Sequence, residues 1–228
     1  MPLILILDTA TKSCSVALTE NGKVLESVDF HDGNFSHSEK LHIFIEDICA
    51  EANKTLKDLD AVAISKGPGS YTGLRIGVSS AKGLCYGLDI PLISLETLEI
   101  LSRTYCLENK VEENDILIPM LDARRMEVYT ATYDSKFNKI KDTEALILQE
   151  DSFDKVLASN KCHFFGDGSG KSELLYKRDN STFSPDIYPA TRAMAESVHK
   201  AYLNKNFEDV AYFEPYYLKD FLDGKKTK

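Results

Sequence analysis

Chemistry in this sequence would have to come from two glycine-rich runs, two aspartate-led turns and two Glu-x-x-His spacings. The first glycine-rich run is KGPGSYTGLRIG, from Lys66 to Gly77. Set between a strand and a helix, it would offer an anion free backbone N–H groups and the positive end of the helix dipole. It has neither the Gly-Lys-Ser/Thr ending of a Walker loop nor G-x-G-x-x-G spacing. The same residues therefore also read as a tight turn built by Gly67, Gly69 and Gly73, with Thr72 capping the helix. The second run, Gly166-Asp167-Gly168-Ser169-Gly170, carries the same two readings, a phosphate-facing loop or a strand-to-helix turn capped by Asp167 or Ser169. Asp8 and Thr9 end the first apolar run. Glu39-x-x-His42 and Glu196-x-x-His199 match the helical element of di-iron bundles, which needs an inward Glu from each of two further helices. Those partners are not evident, so both pairs read as solvated helix faces. His37 and His42 fall on different parts of a helix surface, and no G-x-S-x-G elbow marks a nucleophile.

The elements that must position these residues follow from periodicity. Leu3 to Leu7 is a continuous aliphatic run, expected as a strand covered on both faces. Asn21-Gly22 between two strand-like runs is a hairpin signal. From Ser38 to about Asn53, Leu41, Phe44, Ile45, Ile48 and Cys49 recur at helical spacing, with Ser36 as cap and Glu39 three residues later. Ala61 to Ser65 reads as a buried strand, and a helix then runs from the glycine-rich loop to about Leu88. On that helix Leu74, Val78, Ala81, Cys85 and Leu88 form an apolar stripe, while Gly73, Gly77, Ser80, Leu84 and Gly87 make a second face of mostly small residues. Glycine inside a helix costs about 1 kcal/mol relative to alanine, so this face implies close helix contact, within the lobe or between subunits. A further helix over Leu95 to Tyr105 and a charged linker from Glu108 to Asp115 lead to a second lobe. Its strands are expected at Ile116 to Leu121, Glu127 to Tyr133 and around Thr143 to Leu148. The reading is α/β with lobes over 1–107 and 108–220, a last helix at 190–203 packing back, and a polar tail at 221–228. Both lobes open with a strand and a hairpin, as an ancient duplication would leave them.

Composition narrows the role. A formal net charge of -9 argues against a chain that grips nucleic acid alone, because phosphate binding is driven by clustered Lys and Arg. The five cysteines are odd in number and lack C-x-x-C spacing, so reduced core thiols and a cytoplasmic protein are expected. The opening MPLILILDTA lacks a basic region and a cleavage site, and no apolar run reaches membrane-spanning length, so no membrane association is expected.

Three segments in this order resemble the TsaB family: LDTATKSCSVAL (Leu7 to Leu18), KGPGSYTGLRIG (Lys66 to Gly77) and LDARRMEVYTATY (Leu121 to Tyr133). Pro91-Leu92-Ile93 and Glu214-Pro215-Tyr216-Tyr217-Leu218 support the match. The resemblance implies the two-lobed fold of actin, Hsp70 and sugar kinases with a degenerate nucleotide cleft around Asp8, Thr9, Gly69, Arg75, Asp122 and Arg124. Asp8-Thr9 keeps the first phosphate turn in outline. At the second, Asp122-Ala123-Arg124-Arg125 stands where glycines would let backbone approach a phosphate. The resemblance also implies a non-catalytic subunit that docks on the paralog TsaD. With the ATPase TsaE, it would support threonylcarbamoyl transfer to adenosine 37 of tRNA, which it would reach only through the basic partners. The paralog's metal-binding His-x-x-x-His corresponds here to Thr97 and Leu101. No cofactor is expected to bind the isolated chain tightly, with ATP or ADP entering only in the assembled complex. Docking is expected through the first two helices, at His37, Leu41, Ile45, Gly73, Gly77, Ser80, Ala81 and Leu84, and the same face would serve a homodimer when the partner is absent. The alternative is an enzyme of the same superfold, an ATP-dependent phosphotransferase with Asp8 as metal ligand or base, or a glycoprotease-like enzyme.

Overall fold

The computed structural model describes residues 1–31 and 37–219, with His37 and Ser38 as backbone only. The Ser36 cap, the His37 side chain and the 221–228 tail lie outside the described residues. The chain opens with β1 (Leu3–Asp8), β2 (Cys14–Glu20) and β3 (Lys23–Phe30) as an antiparallel meander. Asn21 and Gly22 turn its second corner with φ of 53° and 76°, the left-handed pair that matches the twist of a tight hairpin. β4 (Ala61–Ser65) and β5 (Leu92–Leu95) then add in parallel, giving the order β3-β2-β1-β4-β5. β1 and β4 are buried along their whole length because successive side chains serve two cores. Leu3, Leu5 and Leu7 pack under α1 (His37–Glu51) and α2 (Tyr71–Leu88). Ile4 and Ile6 meet Met194 and Val198 from the opposite face, where the 3₁₀ turn Thr191–Met194 leads into a late helix.

α2 buries Leu74, Val78, Ala81 and Cys85, the stripe that periodicity picks out; each large aliphatic so buried contributes roughly 1.5–3 kcal/mol. Its cap is Ser70 rather than Thr72: the Ser70 hydroxyl accepts from Gly73 N at 3.3 Å. Asp89, with φ of 55°, ends the helix.

α3 (Thr97–Glu108) carries the chain into a second sheet of β6 (Ile116–Asp122), β7 (Glu127–Asp134), β8 (Lys139–Ile147), β9 (Cys162–Phe165) and β10 (Ser181–Ser184). Their order, β8-β7-β6-β9-β10, repeats the plan of the first sheet, with an antiparallel meander followed by two parallel additions. This is the two-lobed α/β architecture expected from the sequence. α3 lies between the sheets, with Leu98, Leu101 and Tyr105 against Leu117, Leu121 and Phe165, while Ile100 joins the core of the first lobe. The short helices α4 (Asp154–Leu157) and α5 (Glu173–Tyr176) flank the other face, where Phe153, Phe164 and Tyr176 pack ring against ring at 5.1–5.7 Å. α6 (Ala195–Leu203) returns to the first sheet.

Two elements differ from expectation. β8 starts at Lys139, before the Thr143 suggested by sequence, because its first residues, Lys139 to Asp142, are exposed along an edge and mostly polar. The helix expected from Ala190 is 3₁₀ until Met194 and α-helical only from Ala195. After α6 the chain runs along the first sheet: Glu208 N donates to Leu92 O at 2.8 Å and Tyr216 N to Lys66 O at 2.7 Å. Lys82 Nζ holds the same segment through the carbonyls of Ala211 and Phe213. All five cysteines are free thiols, and among the described residues no helix is long and apolar enough to cross a membrane.

Candidate functional site

The carboxyl ends of the first strands of both lobes meet at a cleft of about 860 Å³. Its walls are the turn after β1 (Ala10 to Lys12), the glycine-rich loop and start of α2, the β6–β7 turn, Asp167, and the late segment Tyr216 to Lys219. The glycine-rich loop is fastened to the first turn by Ser70 N, which donates to Ala10 O at 2.7 Å. Gly69 is needed because a Cβ there would fall on the Ala10 carbonyl, and Gly67 because it has φ of 114° and lies against the Tyr216 carbonyl. The second lobe repeats the device, with Gly166 against the Met120 carbonyl and Gly168 against Leu121. Both glycine-rich runs thus let neighbouring backbone pass closely.

The β6–β7 turn is the cleft's most unusual wall. Arg124 and Arg125 have φ of 70° and 50°, a conformation that costs L-residues about 1–2 kcal/mol each. Lys171 holds the turn in place, donating to Asp122 Oδ1 at 2.5 Å, Arg125 O at 2.8 Å and Glu127 O at 2.7 Å. Arg124 N closes onto Asp122 Oδ1 at 2.8 Å, and Asp122 N donates to Asp167 Oδ1 at 2.9 Å. Across the mouth, Lys219 forms an ion pair with Glu127. Arg75 does not line the cleft. It stacks on the Tyr71 ring at 4.2 Å, and its Nε donates to Tyr217 Oη at 3.3 Å.

A nucleoside triphosphate with its metal does not fit these residues. Gly69, Asp122 and Arg124 do line the cleft, but Asp8 and Thr9 are wholly buried behind Ala10 and Thr11. Thr9 Oγ1 donates to Gly73 O at 2.7 Å. Asp8 Oδ1 accepts from Ala10 N at 3.3 Å, and Oδ2 has no partner. Burial pushes the Asp8 carboxyl up to about 7, an effect that the nearby Ser65 hydroxyl and the Ala10 amide offset only in part. The acid that the alternative reading makes a metal ligand is therefore a buried carboxyl that does not line the cleft. Among the described residues no group of three or more His, Cys, Asp or Glu could hold a metal, and Thr97 and Leu101 are buried in the core.

The first two helices require a correction. Leu41, Ile45 and Ala81 are buried in the first lobe, so their side chains already serve the chain's own core. Gly73 and Gly77 face inward too: a Cβ on either would collide with Thr9, at its carbonyl or its hydroxyl. The small residues free to meet a partner lie one step further round α2. Ser79, Gly83, Tyr86 and Gly87 share an exposed stripe at helical spacing, and a Cβ on Gly83 or Gly87 would meet nothing within 4 Å. Ser80 and Leu84 sit half-buried beside it. Ser80 Oγ lies 3.3 Å from His42 Nε2 of α1, next to Ile43, which is 50% exposed, while Tyr86 is 87% exposed. Periodicity had found the small-residue face but not which of its members the lobe consumes. Lys12, Arg125, Tyr217 and Lys219 were missed as cleft residues; the available signal was an Arg-Arg pair at a hairpin corner that favours Asn-Gly.

Residues 34–217 match the family model described as TsaD, tRNA N6-adenosine threonylcarbamoyltransferase. The chain is 30% identical to the tRNA threonylcarbamoyladenosine biosynthesis protein TsaB of Escherichia coli K12, over 98% of this chain and 97% of that one. It is 28% identical to the protein of the same description from Haemophilus influenzae, over 98% and 96%. The crystal structure of an uncharacterized protein with similarity to peptidase YEAZ from Pseudomonas aeruginosa superposes with a TM-score of 0.84 at 26% identity, covering 96% of this chain and 100% of that one.

Proposed function

We propose that this chain, which belongs to the TsaB family of tRNA threonylcarbamoyladenosine biosynthesis proteins, acts as a non-catalytic subunit that docks onto the threonylcarbamoyltransferase TsaD and holds it in its active form. The observation that carries the docking site is the outward stripe of α2. Gly83 and Gly87 have open space where their side chains would be. Each glycine inside the helix costs about 1 kcal/mol that packing within the chain does not recover. With the exposed Tyr86 among its members, such a stripe lets a partner helix approach to backbone contact around an aromatic anchor. The ATPase TsaE is the third component, and a homodimer through the same stripe forms when TsaD is absent. A phosphotransferase reading has the interlobe cleft in its favour. It would need saturable Mg-ATP binding by the isolated chain that Asp8→Asn abolishes.

The test is threonylcarbamoyl transfer to an ANN-decoding tRNA by cognate TsaD, TsaE and the adenylate-forming enzyme, with and without this chain. Gly83→Arg should abolish both stimulation and co-elution with TsaD while the variant's melting temperature holds. Modification that proceeds equally without the chain would refute the reading. Gly77→Arg is unsuitable, because it would break the contact with Thr9.

A further inference from the structure

The chain's net charge of -9 conceals a local cationic excess. Of the acids lining the cleft, Asp122 is paired with Lys171 and Glu127 with Lys219. Lys12, Arg124 and Arg125 line the same cleft, are exposed, and have no ion pair among the described residues. The carboxyl of the third acid of the wall, Asp167, is pushed up chiefly by burial, against the backbone amide of Asp122 and the nearby Lys12 and Lys171. Four tyrosines, Tyr71, Tyr129, Tyr216 and Tyr217, line the wall with these cations. The arginines occupy consecutive left-handed positions where Asn-Gly would remove most of the strain, and Lys171 anchors the turn beneath them. Cations with no ion pair among the described residues, set beside tyrosine rings, are the chemistry that binds looped single-stranded nucleic acid: ammonium and guanidinium groups meet phosphates while bases stack on the rings. Backbone amides, which a nucleotide-hydrolysing cleft would use, play no part in this arrangement.

We infer that the interlobe cleft is a direct RNA contact, in which Lys12, Arg124 and Arg125 take the phosphates of a tRNA loop and Tyr129 and Tyr217 offer stacking faces. The choice of tRNA rests on the proposed function; the phosphate and base chemistry rests on the cleft. This changes the expectation that the chain reaches tRNA only through its partners.

The decisive variant is Arg124→Asn with Arg125→Gly, because it removes both cations while installing residues that suit the observed backbone. A labelled anticodon stem-loop of an ANN-decoding tRNA is titrated, across a KCl series, with the full chain and with its complex with TsaD; ADP and inorganic phosphate serve as competitors. The double variant should melt no lower than the parent, keep its complex with TsaD, and bind the stem-loop about tenfold or more weakly. The slope of log affinity against log salt should fall by about 1.4, the loss of two single-strand phosphate contacts. Lys12→Ala should act in the same direction with half that change of slope. Parental affinity and slope in the double variant, in the complex as well as alone, overturn the inference. So does saturable ADP binding lost in the variant without stem-loop binding, which would make the cleft a free-nucleotide site. Loss of the TsaD complex together with the RNA also overturns it, since the arginines would then serve docking. An intact complex with unaffected RNA binding leaves the docking reading standing, and the chain-alone arm needs no partner, so the two readings fail separately.

Discussion

Gly77 and Gly83 both lie inside α2, and replacing each with alanine separates intrachain packing from partner packing. Both substitutions gain the same helix propensity, about 1 kcal/mol. At Gly83 the new methyl enters open space, so that gain stands alone and the variant is more stable by about 1 kcal/mol. At Gly77 the methyl meets Thr9 Oγ1 and lies 3.0 Å from Ile64 Cδ1. Overpacking costs about 1–3 kcal/mol, and displacing Thr9 from its 2.7 Å bond to Gly73 O costs about 1 kcal/mol more. The net is a loss of about 1–3 kcal/mol. For a chain of this size 1 kcal/mol moves the melting temperature by about 2–4 °C, so the two variants move in opposite directions. Urea denaturation at constant m gives the free energies directly. Equal shifts of the same sign would show that Gly77 is not held against the first strand's turn. In the co-elution assay the ranking reverses meaning: Gly83→Ala, the more stable variant, should bind TsaD more weakly, because its methyl occupies the space left for the partner.

Asp8→Asn tests the buried carboxyl. Its pKa lies near 7 when folded against an ordinary 3.8, so the protonated acid's stabilising share is complete below about pH 3.8 and is lost as pH rises through 7. Relative to the non-titrating Asn variant, the parent should lose about 4 kcal/mol between pH 4 and pH 8; a flat difference in urea midpoints would contradict it. Lys171→Met removes the donor to Asp122, Arg125 O and Glu127 O and should cost about 1.5–3 kcal/mol, with faster amide exchange at the β6–β7 turn. An unchanged urea midpoint would mean that the turn holds itself. Tyr86→Ala should leave the free chain within about 0.5 kcal/mol of the parent and weaken TsaD binding by about 2 kcal/mol or more in calorimetry. Unchanged affinity would move the docking face elsewhere.

The first lobe was largely legible because its elements are long and regular. The aliphatic run at Leu3 to Leu7, the Asn21-Gly22 corner and the stripe of α2 each carry one clear period. From Gln149 to Tyr188 almost nothing could be read, since α4, β9, α5 and β10 have four residues each, shorter than the span over which periodicity becomes visible. At the site, sequence located Gly69, Asp122 and Arg124 on the cleft wall. It could not reveal that Asp8 and Thr9 lie behind that wall, because exposure at the end of a strand depends on the turns that fold over it. Nor could it divide the glycines of α2 between Thr9 and open space, a distinction set by tertiary approach alone.

The course of α6 bears on how the chain is made. The five strands of the first sheet are complete once Leu95 has been synthesised, yet Ile4, Ile6, Ala61 and Ala63 are covered by Met194 and Val198. Thr191, whose N donates to Ser15 Oγ at 2.8 Å, also arrives late. At a translation rate of about 5–20 residues per second, that apolar face waits roughly 5–20 s on the ribosome for its cover. Chaperone capture of nascent chains stalled before Met194 should therefore exceed capture of those released after Leu203. The lobe that is made first is the one finished last.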